Sequence, residues 1–277
     1  MNAALHVKNV YKIFGPTKKA VEEALQFARG GIEKSEILSR TGCTLGVNNV
    51  SLRVESSEIF VIMGLSGSGK STLVRHFNRL IEPTAGEILI QGQDIVKLPD
   101  NELREVRRRQ ISMVFQSFAL LPHKTVCENI AFGMLLRGDD PKVSRDKAEA
   151  WVNGKMGLKG FGDKYPDELS GGMRQRVGLA RALVAETDIV LLDEAFSALD
   201  PLIRCEMQDL LLQIQREMKK TIVFITHDLD EALRIGTRIV IMKDGTVMQE
   251  GKPQEIVESP ANDYVRKFVE HRTVGAS

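Results

Sequence analysis

The chain has 277 residues, with 38 basic and 37 acidic side chains and a net charge of +1, so no global field draws it to nucleic acid or to an anionic membrane surface. Its three cysteines, Cys43, Cys127 and Cys205, are far apart and in no metal-ligand spacing, which suits reduced thiols rather than a disulfide framework. No apolar run approaches the roughly 18–20 residues of a membrane-spanning helix and no signal-peptide core opens the sequence; a soluble chain is expected, held at any membrane by something else.

Residues 5–10 alternate apolar and polar side chains, a strand pattern, and Tyr11 to Gly15 follow with two aromatics beside a turn. Residues 16–45 break that pattern. Ala20, Val21, Ala24, Leu25 and Ala28 share one helical face, Gly30-Gly31 interrupts, and a second helix from Glu33 to Arg40 ends at Gly42, so a helical hairpin set into a β-rich beginning is predicted. Strand alternation resumes over Val47 to Val54 and leads into the apolar run Ile59 to Met63.

Gly64-Leu65-Ser66-Gly67-Ser68-Gly69-Lys70-Ser71 comes next and has the form G-x-x-x-x-G-K-S, between a strand and a helix opening at Thr72. A nucleotide's phosphates need several backbone N–H groups turned inward, and only a chain with few Cβ atoms wraps that closely. In such a loop Lys70 reaches the β- and γ-phosphates, Ser71 holds Mg²⁺, and the helix directs its positive N-terminal end at the phosphate charge.

Further strands are predicted over Glu87 to Gln91 and Ile111 to Phe115, the latter ending at Gln116, with a charge-dense helix at 100–110 that reads as a solvated face. A helix-rich stretch punctuated by Pro122, Gly138 and Pro141 runs to about Gly160. Ser170 fits the N-cap of a helix whose apolar stripe runs from Val177 to Val184. The apolar runs Ile189 to Leu192 and Thr221 to Thr226 read as strands buried on both faces; one ends in Asp193-Glu194, the other at His227. An amphipathic helix fills Leu202 to Lys219, and Asp244-Gly245 joins a final hairpin.

Strands alternating with helices indicate an α/β fold with a largely parallel sheet, whose ligands bind beyond the carboxyl ends of the strands. Gly64 to Ser71, Gln116, Asp193, Glu194 and His227 all stand at such ends. Nucleoside triphosphate hydrolysis needs neutralised phosphate charge, an oriented metal and a water in line with the γ-phosphorus. Asp193 suits the metal-orienting carboxylate and Glu194 the base or water-positioning group. Gln116 can offer its oxygen to metal or water, and His227 can contact the γ-phosphate or hold Glu194 and the water in line.

These elements, with Leu169 to Gln175 and Ser197-Ala198-Leu199-Asp200, stand in an order and spacing that resembles ATP-binding cassette ATPases over nearly the whole chain. The Ser170-Gly171-Gly172 stretch is the most discriminating, because ordinary phosphate-loop enzymes lack it. The resemblance implies a P-loop NTPase fold with a RecA-like core, an antiparallel β subdomain and an inserted helical subdomain at about 117–176. It also implies a single domain over residues 1–265, a tail over 266–277, and the 16–45 hairpin as a family-type insertion. ATP and Mg²⁺ are the implied ligands. Gly64, Ser66, Gly67, Ser68, Gly69, Lys70, Ser71 and Thr72 would bind the phosphates. Phe14 would stack on adenine, with Tyr11 as its rival. Ser170, Gly171 and Gly172 would act across the seam of a head-to-tail homodimer, with Asp200 at that seam; Gln175 would also meet the nucleotide, and Lys70, Gln116, Glu194 and His227 would act in hydrolysis.

Met173 and Ala195-Phe196 depart from the commoner cassette residues at those positions. With Val61 to Ser66, Met113 to Leu120 and the hairpin, they resemble the ATPase subunit of glycine betaine/proline-type importers, which move quaternary amines such as betaine, choline or carnitine. Transmembrane permease subunits, an extracytoplasmic substrate-binding protein and a peripheral place on the cytoplasmic face of the plasma membrane are the implied context. Well-known members continue into cystathionine-β-synthase-type domains; the sequence in hand stops at Ser277, so ionic-strength sensing by them is not carried over. A cassette ATPase for nucleic acid or ribosomes is disfavoured by the near-neutral charge and the absence of a coiled-coil or zinc-binding insertion. A nucleotide-gated module without hydrolysis is disfavoured by Glu194 and His227.

Overall fold

The computed structural model describes residues 3–274. Strand β1 (Ala3–Phe14) is longer than the 5–10 alternation predicts: Asn9, at φ 47°, breaks the register, and Tyr11 and Ile13 then resume inward packing. The predicted hairpin follows as α1 (Lys18–Arg29) and α2 (Lys34–Thr41), the first capped by the Thr17 hydroxyl, which accepts from the Ala20 N–H, the second ended by left-handed Gly42. Its inner residues Ala24, Ala28 and Ile37 form one buried cluster with Tyr11, Ile13, Cys43 and Leu45. The hairpin is therefore held by apolar packing on β1 and on β2 (Thr44–Glu55). After β3 (Ile59–Met63) and α3 (Lys70–Phe77) come β4 (Ala85–Ile90) and the short β5 (Gln93–Asp94), giving an antiparallel sheet in the order β2-β1-β4-β5.

Helix α4 (Asp100–Arg109) buries Leu103 and Val106 and keeps its charges on the outside, where Glu105 accepts from Arg108 and Arg109. Then β6 (Ile111–Val114) leads to α5 (Val126–Arg137) and α6 (Pro141–Asn153). A capping box of Thr125 and Glu128 opens α5, Gly138 at φ 92° closes it, and Asp140 caps α6 with Pro141 in its first turn. Both helices pack against α7 (Gly171–Val184). Next are β7 (Ile189–Asp193), α8 (Pro201–Met218) and β8 (Thr221–Thr226). Strand β6 runs parallel to β7, with Ile111 opposite Ile189 and Val114 opposite Leu192, and the strand order is β8-β7-β6.

The remainder holds α9 (Leu229–Ile235), β9 (Arg238–Lys243), β10 (Thr246–Gly251), α10 (Pro253–Glu258) and α11 (Asp263–Val274). Asp244 and Gly245, at φ 49° and 82°, make the two-residue turn that the Asp-Gly pair predicts, and β9 is parallel to β3, Val61 facing Ile239. Of the expected tail over 266–277, residues 266–274 lie in α11 and 275–277 lie outside the described residues.

Internal contacts divide the chain into two units, one running up to Pro99 and resuming at Ile225, the other Asp100–Phe224. The helices expected as a 117–176 subdomain thus share a unit with β6 and β7. Among the described residues no helix is long and apolar enough to cross a membrane.

Candidate functional site

The first unit carries the phosphate loop. Every residue of β3 is buried, which fixes the strand end from which the loop departs. Gly64 has φ 153°, and a Cβ there would stand 2.3 Å from the Met242 carbonyl oxygen; Gly69, at φ 98°, would put one 2.4 Å from the Gly46 carbonyl oxygen. Both positions exclude any side chain on conformation and on space together. The loop is braced from outside, since the Gly245 N–H donates to the Ser68 carbonyl (2.9 Å) and the Gly245 carbonyl accepts from Asn48 N–H (2.8 Å). Lys70 is buried and donates from Nζ to the carbonyls of Gly64 (2.8 Å) and Leu65 (3.0 Å). Ser66 and Gly67 are exposed, and Ser71 and Thr72 are half-buried in the first turn of α3.

The Ser68 hydroxyl is buried with no hydrogen-bond partner among the described residues, a polar group suited to take one. The loop therefore fits a polyphosphate: an orphaned hydroxyl, an ammonium parked on its own loop's carbonyls, and a helix N-terminus. Phe14 ends β1 and is 44% exposed, whereas Tyr11 is 6% exposed within the hairpin cluster. Of the two rivals for a base, only Phe14 offers a ring face; the Lys12 ammonium lies 5.0 Å from its centroid. His227 is exposed directly after β8 in this same unit.

The second unit brings together Gln116, Glu194 and Ser197. Asp193 is buried at the end of β7, and the next residue, Glu194, takes the left-handed conformation at φ 48°. A non-glycine residue held there breaks the strand abruptly, a strained geometry typical of functional sites. The Ser197 N–H and hydroxyl both bond the Glu194 carbonyl, at 3.2 and 2.9 Å, fixing that bend. The Gln116 amide nitrogen stands 3.5 Å from a Glu194 carboxylate oxygen and 3.4 Å from the Ser197 hydroxyl. With its nitrogen so engaged, the oxygen of Gln116 is the atom left to turn elsewhere. Within this unit the Gln116 amide oxygen and the Asp193 carboxylate are oxygen donors, the chemistry a hard cation such as Mg²⁺ takes, as is the Ser71 hydroxyl in the first unit.

Ser170 caps α7, accepting the Met173 N–H at 3.3 Å. With Gly171, Gly172, Leu199 and Asp200 it lines a concavity of about 580 Å³. The Asp200 carboxylate caps α8 by accepting the Ile203 N–H at 3.1 Å. Gln175 differs from its neighbours: it is fully buried, its amide atoms sealed inside the unit, so the surface of this motif is Ser170 to Gly172 without Gln175. The expectation that Gln175 meets a nucleotide does not fit that burial, because one helical turn beyond the glycines carries its side chain to the inner face of α7.

Two supporting residues carried no role in the sequence reading. Ser197 lay inside a noted motif, and only the fold brings its hydroxyl to Gln116, 81 residues away. Gly245 was legible as a turn, but its bond to the phosphate loop has no local signal.

The family model described as ABC transporter matches residues 47–197. The glycine betaine/proline betaine transport system ATP-binding protein ProV of Escherichia coli (strain K12) is 59% identical over 268 residues, covering 97% of this chain and 66% of that protein. The glycine betaine transport ATP-binding protein OpuAA of Bacillus subtilis (strain 168) is 58% identical over 266 residues, 96% of this chain and 63% of that protein. The chain thus spans just under two thirds of the length of these relatives. The trimethylamine N-oxide transport system ATP-binding protein TmoW of Pelagibacter ubique (strain HTCC1062) is 53% identical, covering 95% of this chain and 76% of its own. Among solved structures, the dimeric post-hydrolysis state of the ATP-binding cassette MJ0796 bound to ADP and Pi superposes with a TM-score of 0.75 at 32% identity, covering 90% of this chain and 98% of that one.

Proposed function

The chain belongs to the ABC transporter family, and from that premise we propose that it is the ATP-hydrolysing subunit that powers import of a quaternary amine osmoprotectant: glycine betaine, proline betaine, choline or carnitine. The observation that carries this reading is identity of 58–59% over nearly the whole chain to ATP-binding subunits named for glycine betaine and proline betaine transport. The trimethylamine N-oxide relative, at 53%, is named for a substrate of closely related chemistry.

In this reading Phe14 stacks on the adenine, and the loop Gly64 to Ser71, with Thr72, takes the phosphates. Lys70 exchanges its loop carbonyls for phosphate oxygens. Ser71, Gln116 and Asp193 would hold Mg²⁺, which when bound neutralises phosphate charge and orients the phosphate oxygens. Glu194 accepts the proton of the attacking water, Gln116 orients the Glu194 carboxylate, and His227 helps keep the water in line.

Ser170, Gly171 and Gly172 cover the ATP on a second copy, with Asp200 at the seam, so two chains close on two nucleotides and reopen after hydrolysis. Such a change is a population shift driven by contacts that exist only in the closed pair. Permease subunits convert the motion into alternating access, and an extracytoplasmic binding protein delivers the solute, while this chain works peripherally at the cytoplasmic face of the membrane. The solute itself touches other subunits.

The test is to assemble the chain with its permease and binding protein in lipid and to measure ATP hydrolysis with candidate solutes. Glycine betaine or a close quaternary amine should stimulate turnover, while an unrelated amino acid such as methionine should not. Stimulation by the unrelated solute alone would overturn the substrate class.

A further inference from the structure

We propose that Arg181 is a positioning residue for hydrolysis, fixing the loop after β6 so that Gln116 is presented to Glu194. The proposal rests on the reading above in which Gln116 and Glu194 serve hydrolysis.

The Arg181 guanidinium reaches back from α7 and donates from Nη1 to the Ala119 carbonyl (2.8 Å) and from Nη2 to the Phe118 carbonyl (2.9 Å). Phe118 and Ala119 are consecutive non-glycine residues in the left-handed region, at φ 62° and 47°. L-residues avoid that region, and two in succession persist only where the surroundings over-determine them. The backbone bonds of these two residues' own N–H groups are tight local ones, Phe118 N–H to the Phe115 carbonyl and Ala119 N–H to the Ser117 carbonyl. Further along, Asn129 on α5 accepts from the Leu121 N–H (2.8 Å) and donates to its carbonyl (3.1 Å), while the hold on Phe118 and Ala119, nearer to Gln116, comes from α7. A planar fork of donors matches two adjacent carbonyls as no point charge does, and charge-assisted bonds are the stronger kind. One turn before Arg181, Gly178 faces the same loop: a Cβ there would be in ordinary contact, 3.7 Å from the Phe118 carbonyl oxygen.

Gln116 stands two residues before the clamped carbonyls, and its amide meets Glu194 and Ser197 at long distances, 3.5 and 3.4 Å. Such weak contacts cannot by themselves hold the loop, so the position of Gln116 depends on what anchors the following residues. The helix that anchors them is also the one whose first turn exposes Ser170 to Gly172. Eleven residues separate Ser170 from Arg181, about 16 Å of helix at 1.5 Å per residue. Arg181 thus ties the glutamine loop to the same rigid rod that presents the Ser-Gly-Gly motif, and a movement of α7 carries Gln116 with it.

The experiment uses the full chain with Arg181→Ala, Arg181→Lys, Gln116→Ala and the Arg181→Ala/Gln116→Ala pair. Arg181→Ala should lower kcat for ATP roughly tenfold or more, the scale of a slightly misplaced group, while KM for ATP stays within about twofold. Arg181→Lys should recover part of the loss. The paired variant should be no slower than Gln116→Ala alone, because one effect runs through the other. In the nucleotide-free chain, hydrogen exchange at the amides of residues 117–120 should accelerate in Arg181→Ala while β7 and the rest of α7 keep their protection. Additive losses in the paired variant, or exchange accelerated throughout α7, would overturn the role of Arg181 alone. An unchanged kcat in Gln116→Ala would instead remove the hydrolytic reading of Gln116 and this proposal with it.

Discussion

The Lys70 ammonium lies 2.8 Å from the carbonyl oxygen of Gly64, at the other end of its own loop. A buried cation needs compensation, and this one finds it in the loop it is expected to leave when a phosphate arrives. Lys70→Ala removes a group that matters mainly once phosphate is present. ATP binding, followed by titration calorimetry, should weaken by about two orders of magnitude, since charge-assisted bonds are worth roughly 1.5–3 kcal/mol each, while the melting temperature moves little. Undiminished ATP affinity would rule out the assignment.

Glu194 separates binding from chemistry. Glu194→Gln keeps the size, the left-handed backbone and an oxygen to accept from Gln116, and removes only the basic carboxylate. Turnover should fall by roughly 10²–10⁴, the range for loss of a general base, with ATP affinity retained. Full hydrolysis in this variant would end the proposed role.

Phe14 and Tyr11 are distinguished by where each ring lies. Phe14→Ala should weaken ATP and ADP binding by about tenfold, equivalent to roughly 1–3 kcal/mol for a lost base stack, and leave tripolyphosphate binding unchanged. Tyr11→Ala should act on stability instead, because that ring is buried in the hairpin cluster and a large core truncation costs roughly 3–5 kcal/mol. Equal loss of ATP and tripolyphosphate binding in Phe14→Ala would contradict the stacking role.

The parts of the site that were legible in the sequence are those with chemistry in a fixed local order. The phosphate loop, the strand ending in Asp193-Glu194, the Ser170 cap and the hairpin with Gly42 at its end are local patterns, and each lies where it was expected. What the sequence could not carry depends on distant chain meeting: Gly245 bracing Ser68, and Ser197 meeting Gln116. Gln175 misled because a motif gives spacing but not facing; helical phase takes its side chain inward. Helices α9, α10 and α11 were missed because they are short or polar, and packing rather than periodicity sustains them.

His76, buried near the end of α3, the helix that follows the phosphate loop, gives the chain an acid sensitivity. Burial first and the Lys12 charge second outweigh a backbone contact with Ile81 and press its imidazole down to about 4. In the unfolded chain it returns to its ordinary value near 6.5. The folded state therefore resists a proton that the unfolded state accepts. The contribution to stability is fully present above about pH 6.5 and is lost as pH falls through the folded value near 4. Linkage over that interval amounts to about 3 kcal/mol in total and about 2 kcal/mol by pH 5. His76→Leu removes the titrating group and leaves no buried polar atom in its place. Urea unfolding at pH 7 and pH 5 should show the native chain losing about 2 kcal/mol more than the variant between the two conditions. The same pH loss in both proteins would mean that His76 does not set it.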